Sequence, residues 1–112
     1  STLVRWADDD EADVIITTGG TGLSPRDVTP EATMAVIDRI APGFAEVIRQ
    51  EGGKYTPMSM LGRGVAGVRG ECLIINLPGS PQAVRQSLVP ILPVLQHAVD
   101  TLKGRQGEHP AA

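Results

Sequence analysis

The chain has 112 residues, ten Lys or Arg against thirteen Asp or Glu, and a formal net charge of −3. That length suits one domain, and the charge balance excludes the basic surplus of a nucleic-acid or membrane-surface binder. A single Phe, Trp and Tyr leave no set of stacking platforms for single-stranded nucleic acid, and a lone cysteine, Cys72, rules out an internal disulfide framework.

In chain order, the opening STLVRWADDDEA places Leu3, Trp6 and Ala7 at helical spacing, and its acidic run Asp8 to Glu11 reads as a solvated helix end. DVIITT, Asp13 to Thr18, reads as a buried strand. The polar turn TTGGTGLSPRDVTP follows, and Thr29-Pro30-Glu31 predicts a helix start in which Thr29 caps and Pro30 takes the first position. Met34, Ile37, Ile40 and Ala41 give that helix an apolar stripe, interrupted by Pro42-Gly43. Phe44, Val47 and Ile48 predict a short helix ending at Gly52-Gly53, and Thr56-Pro57 introduces Met58, Met60 and Leu61 as core filler. A weak strand is expected over 65–69 and a stronger one in CLIINL, Cys72 to Leu77, whose apolar neighbours make Cys72 a packed thiol.

Ser80-Pro81 then opens a helix with apolar positions from Val84 to Leu102 at spacings of three and four. Pro90 and Pro93 inside it predict a kink or two helices end to end. Residues 1–104 are expected to form the domain and 105–112 a flexible tail. No apolar run is long enough to span a bilayer and no signal-peptide pattern opens the chain, so the expected location is the cytoplasm. Strands alternating with helices predict an α/β sheet covered by helices on both faces.

Both strong strands end alike: an apolar run, a glycine-bearing polar turn, then Ser or Thr plus Pro opening a helix. If the strands are parallel, TTGGTGLSPRD and NLPGSP meet at one sheet edge, where open α/β sheets bind ligands. Glycines there admit a ligand close to the backbone, and free N–H groups favour phosphate or carboxylate; the competing reading is that Gly and Pro only serve the turns. The glycines match neither a P-loop nor G-x-G-x-x-G. Asp27 is the main candidate for chemistry, because a carboxylate beside phosphate-binding amides needs a Mg²⁺ or a proton between itself and the ligand. Its alternative roles are an Asx-type cap or an ion pair with Arg26. His97 and His109 lie far apart without ligand-spaced partners, so no zinc site is visible.

TTGGTGLSPRDVTPEAT followed by GVAGVRGECLIINLPGSP resembles the molybdopterin adenylyltransferase family of molybdenum cofactor biosynthesis, with similarity extending to about Gly104. The resemblance implies a three-layer α/β/α domain with a mainly parallel central sheet, usually trimeric, acting in the cytoplasm. It implies Mg²⁺-dependent transfer of AMP from ATP to the terminal phosphate of molybdopterin, with release of pyrophosphate and hand-off to the molybdenum-insertion enzyme. On the same resemblance Gly19, Gly20, Thr21 and Gly22 line the ligand loop. Asp27, which Ser24 and Arg26 flank, matches the family's functionally important acid and is the expected catalytic residue, and Asn76, Pro78, Gly79 and Ser80 form a second wall. The expectation that Asp27 holds or orients Mg²⁺ at the reacting phosphates rests on its carboxylate chemistry. A noncatalytic molybdopterin-binding or structural paralogue is the alternative. Relative to the family, Gly62-Arg63 stands where Ser-Arg is usual, and the N-terminal strand, Ser/Asp-rich loop and helix have no counterpart.

Overall fold

The computed structural model describes residues 1–105, so the predicted tail and His109 lie outside the described residues, apart from Arg105. The chain opens with a short helix α1, Thr2–Val4, continued by a π-helical turn, Arg5–Asp9. Strand β1, Val14–Thr18, leads through the glycine-rich loop to helix α2, Thr29–Met34. Strand β2, Arg39–Ile40, and helix α3, Pro42–Gly52, follow, then a 3₁₀ helix, Pro57–Leu61. Strands β3, Ala66–Arg69, and β4, Cys72–Leu77, precede the long helix α4, Pro81–Leu102.

The strands form one sheet in the order β1-β4-β3-β2. β1 and β4 are parallel, with Val14 opposite Leu73 and Thr18 opposite Leu77, so both strands end at the same edge. The other pairings, β4 with β3 and β3 with β2, are antiparallel. The described sheet is therefore mixed rather than mainly parallel. Arg69 pairs with Cys72 across the two-residue turn Gly70-Glu71, and a connection that short can only reverse the chain.

β4 is buried along its whole length and its side chains alternate between two cores. Leu73, Ile75 and Leu77 pack with Ile48 of α3 and Ile91 of α4, while Cys72 and Ile74 join Ile15, backed by Leu3, Ala7, Val36 and Ile37. Helical layers thus cover both faces, as the three-layer expectation requires. Cys72 is 2% exposed, and burial pushes its thiol pKa up, so it is the packed thiol expected.

Several local expectations are corrected. The stripe from Met34 to Ala41 does not lie on one helix: α2 stops at Met34, and Ile40 sits in β2 opposite Gly67. Backbone pairing on either side, Asp38 N–H to Val68 O (2.7 Å) and Ala41 N–H to Ala66 O (2.9 Å), holds this edge extended, so sheet pairing overrides helical periodicity. Thr29 is the first residue of α2 and not its cap; Val28 holds that position without a side-chain bond. Pro90 and Pro93 do not divide α4 into two helices, for it runs unbroken over 22 residues, with its apolar side docked on the core. Met58, Met60 and Leu61 are exposed and do not fill the core. Asp8 is not simply solvated: its two carboxylate oxygens accept from Arg69 Nε (3.1 Å) and Nη2 (2.8 Å). No described helix is long and apolar enough to cross a membrane.

Candidate functional site

The parallel pair β1 and β4 delivers both glycine-bearing turns to one edge of the sheet. Gly19 N–H donates to Leu77 O at 3.0 Å, tying the first turn to the end of β4. A Cβ on Gly79 would stand 3.0 Å from Gly19 Cα, so the two turns touch backbone to backbone. Gly20 has φ +70, and a Cβ there would overlap the Thr29 hydroxyl, so only glycine fits. Ser80 caps α4 by accepting from Ala83 N–H at 3.1 Å.

Asn76 fastens the edge together. Its Nδ2 donates to Thr17 Oγ1 and to Thr33 Oγ1, both at 2.9 Å, and its Oδ1 accepts from Val65 N–H at 3.1 Å. One 3%-exposed amide therefore joins β1, α2, β4 and the strand-entry segment before β3. Every polar atom of the amide has a partner, the condition under which a buried polar group stabilises a unique arrangement.

Beside this edge lies a cavity of about 250 Å³. Its walls come from the first turn (Thr21, Gly22), from β4 and the second turn (Asn76, Pro78), and from α3 (Ala45, Ile48, Arg49). The 3₁₀ helix contributes Met58 and Leu61, which explains their exposure: they border a hollow instead of filling a core. The lining is mostly apolar with a few polar groups, the composition of small-molecule sites. Of the residues predicted for the site, Thr21, Gly22, Asn76 and Pro78 line the cavity, while Gly19, Gly20, Ser24, Arg26, Asp27, Gly79 and Ser80 do not.

Asp27 stands next to Gly22, where an added Cβ would lie 2.9 Å from its Oδ2. That oxygen accepts from Ser24 N–H at 3.1 Å, and Asp27 N–H returns a bond to Ser24 O at 2.9 Å. Arg26 N–H donates to Ser24 Oγ at 3.3 Å, but its guanidinium forms no ion pair with Asp27. Of the two alternative roles, the local cap is present and the Arg26 pair is absent.

Two arginines that the sequence did not mark as functional organise these loops. Arg49 Nη1 donates to Gly64 O at 2.9 Å and Gly62 O at 3.4 Å. Arg63 donates through Nε to Gly22 O (2.8 Å), through Nη2 to Asp27 O (2.7 Å), and through Nη1 to Glu31 Oε2 (2.6 Å). Arg63 holds the Glu31 carboxyl below its usual pKa, chiefly through that hydrogen bond. Their partners lie 13 to 41 residues away in sequence, so no local spacing could have shown them.

No group of three or more His, Cys, Asp or Glu among the described residues is arranged to hold a metal ion. Asp27 still fits a Mg²⁺ that takes most of its ligands from water and substrate phosphates, because such sites use only one or two carboxylates. The carboxylate carries one backbone bond, from Ser24 N–H to Oδ2.

With this geometry in place, comparison with known proteins is specific. Residues 1–97 match the family described as "Probable molybdopterin binding domain". The chain is 43% identical over 102 residues to a molybdopterin adenylyltransferase of Helicobacter pylori, covering 91% of this chain and 58% of that protein. It is 47% identical over 87 residues to the Haemophilus influenzae protein of the same name, covering 78% of this chain and 44% of that one. The crystal structure of the molybdopterin biosynthesis enzyme MoaB from Thermus thermophilus superposes with a TM-score of 0.85 at 56% identity, covering 92% of this chain and 65% of that one. The chain thus spans less than two thirds of the length of each of these relatives.

Proposed function

The chain belongs to this molybdopterin-binding-domain family, and on that premise we propose that it acts as a molybdopterin adenylyltransferase in molybdenum cofactor biosynthesis. In the reaction, an oxygen of molybdopterin's terminal phosphate attacks the α-phosphorus of ATP. The bond from that phosphorus to the bridging oxygen breaks, and pyrophosphate leaves. The observation that carries this reading is the meeting of the two glycine turns beside an apolar cavity, with Asp27 next to the lining residue Gly22.

Each part of the site has a task in that chemistry. The apolar cavity shelters the flat pterin from water, with the Arg49 guanidinium at its wall. The glycine turns let phosphates approach backbone N–H groups without side-chain obstruction. Asp27 holds and orients a Mg²⁺, which supplies neutralisation of phosphate charge when bound. Nucleotidyl transfer of this kind needs positioning and charge stabilisation more than a covalent nucleophile, and the lining offers no activated thiol: Cys72 is buried in the sheet core. The family resemblance extends the reading to a cytoplasmic homotrimer that passes adenylylated pterin to the molybdenum-insertion enzyme.

Incubation with molybdopterin, Mg²⁺ and ATP tests the proposal. Formation of adenylylated molybdopterin with equimolar pyrophosphate is the expected result. Binding of the pterin without AMP transfer would replace the enzyme by a noncatalytic relative, and no binding would overturn the site assignment.

A further inference from the structure

We infer that Arg63 is a positioning residue that sets the place of Asp27 by clamping both ends of the turn that carries it. The turn projects into solvent: Leu23 is 65% exposed, and Ser24, Pro25 and Arg26 are exposed too. Its own bonds, between Ser24 and Asp27 and between Ser24 and Arg26, close it on itself and do not fix it to the domain. Arg63 does. Its Nε and Nη2 donate to the carbonyls of Gly22 and Asp27, the residues that bracket the exposed segment. Its own backbone N–H donates to Thr21 O at 2.7 Å, one residue earlier. A guanidinium is planar and presents its donors in a rigid fork, so these contacts define the width of the turn as well as its location.

The clamp is anchored on both sides. Glu31 in α2 takes the remaining edge of the guanidinium, with Oε2 at 2.6 Å from Nη1 and Oε1 at 3.3 Å from Nη2. Behind it, Arg49 in α3 holds the carbonyls of Gly62 and Gly64, the neighbours of Arg63 in sequence. Gly62 and Gly64 line the cavity and Arg63 does not. The segment therefore faces the cavity through its glycines and grips the Asp27 turn through its arginine. Arg63 acts through Asp27, not on a ligand.

The kinetic part of this assignment rests on the proposed activity; the structural part does not, and the test separates them. In the full chain, Arg63→Lys should raise amide exchange at Ser24 and Asp27 about tenfold or more, the loss of one charge-assisted hydrogen bond, while the amides of β4 keep their protection. An ammonium cannot span two carbonyls and a carboxylate at once. Glu31→Gln, which leaves the fork but removes its counter-charge, should give a smaller increase at the same amides, and it serves if the lysine variant does not fold. Unchanged exchange at Ser24 and Asp27 overturns the clamp. In the transfer assay, Arg63→Lys should lower kcat about 10- to 100-fold through misplacement of Asp27, with KM for molybdopterin changing far less, because Arg63 does not itself line the cavity and bears on its lining through a side-chain bond only at Gly22. The Arg63→Lys/Asp27→Asn double variant should be no slower than Asp27→Asn alone. Multiplied losses, or a fall in activity that merely follows the folded fraction, would contradict action through Asp27. If the unmodified chain transfers no AMP, the proposed function fails, and the exchange result alone decides whether Arg63 holds the turn.

Discussion

Asn76→Ala isolates the amide that joins β1, α2 and the segment before β3 to β4 beside the glycine turns. The substitution removes three hydrogen bonds at once, from Nδ2 to the Thr17 and Thr33 hydroxyls and from Val65 N–H to Oδ1. Thr33 is 0% exposed, so its hydroxyl cannot turn to water. A buried group left without a partner costs about 1–3 kcal/mol. Thr17 is only half-buried and recovers most of its loss from solvent. Adding the partly buried Val65 N–H and the vacated volume gives a destabilisation of about 3 kcal/mol. With a urea m-value of about 1.5 kcal/mol per molar, the unfolding midpoint should fall by about 2 M. Urea titration followed by circular dichroism measures this directly. Thr33→Val removes one partner from the other side, and combined with Asn76→Ala it should cost clearly less than the sum, since both disrupt one network. A midpoint shift below about 0.5 M, or strict additivity of the pair, would refute the view that this amide holds the edge together.

Gly20→Ala should destabilise the fold by about 2–4 kcal/mol, combining the left-handed backbone penalty with overlap of the new Cβ and Thr29 Oγ1; a thermal melt within a degree of the unmodified chain would contradict it. The Glu31 and Asp8 carboxyls are both held below their ordinary pKa values, first of all by hydrogen bonds from Arg63 and Arg69. Their stabilising contribution is present above the unfolded-state pKa of about 4 and is lost as pH falls through the lower folded values. A Glu31→Gln/Asp8→Asn chain should therefore show a flatter decline in urea midpoint between pH 6 and pH 3, and an unchanged slope would exclude these pairs as its source. Cys72 should resist alkylation in the native chain at pH 8 and react fully in urea, because burial both raises its pKa and hides it; rapid native labelling would be inconsistent with its place in the core.

Strands β1 and β4 were legible from their Val- and Ile-rich runs, but only CLIINL is the fully buried strand such a run predicts; β1 stands at the edge of the described sheet with Ile15 alone buried, so the buried strand expected at DVIITT is corrected to an edge strand. Their parallel alignment, on which the convergence of the two turns depended, stood only as a condition in the sequence, and the pairing of β1 with β4 meets it. The caps at Thr56 and Ser80 were also local chemistry, each hydroxyl accepting from an N–H two or three residues on. What misled was periodicity that served something other than a core. Ile40 continues a helical stripe in sequence, yet it is spent on a two-residue edge strand whose partner, Gly67, is distant in the chain. Met58 and Leu61 look like filler because apolar residues at helical spacing usually are, and here they wall a cavity.

The two glycine turns and the local turn from Ser24 to Asp27 were readable, because their chemistry is carried by adjacent residues. Arg63 and Arg49 were not, since an arginine's hydrogen bonds to distant carbonyls leave no trace in local pattern. Asp27 could be named from sequence, but what holds it in place comes from residues 36 positions further along the chain.

The proposed function puts AMP transfer to a pterin phosphate at the edge formed by the two glycine turns, with Asp27 on it. It is tested most directly by the rate at which Asp27→Asn forms adenylylated molybdopterin from molybdopterin, ATP and Mg²⁺, set against the unmodified chain. A loss of about 100-fold or more with the fold intact is expected, the scale of removing one preorganised electrostatic group from a reaction centre. An Asp27→Asn protein that adenylylates molybdopterin at the unmodified rate would contradict it.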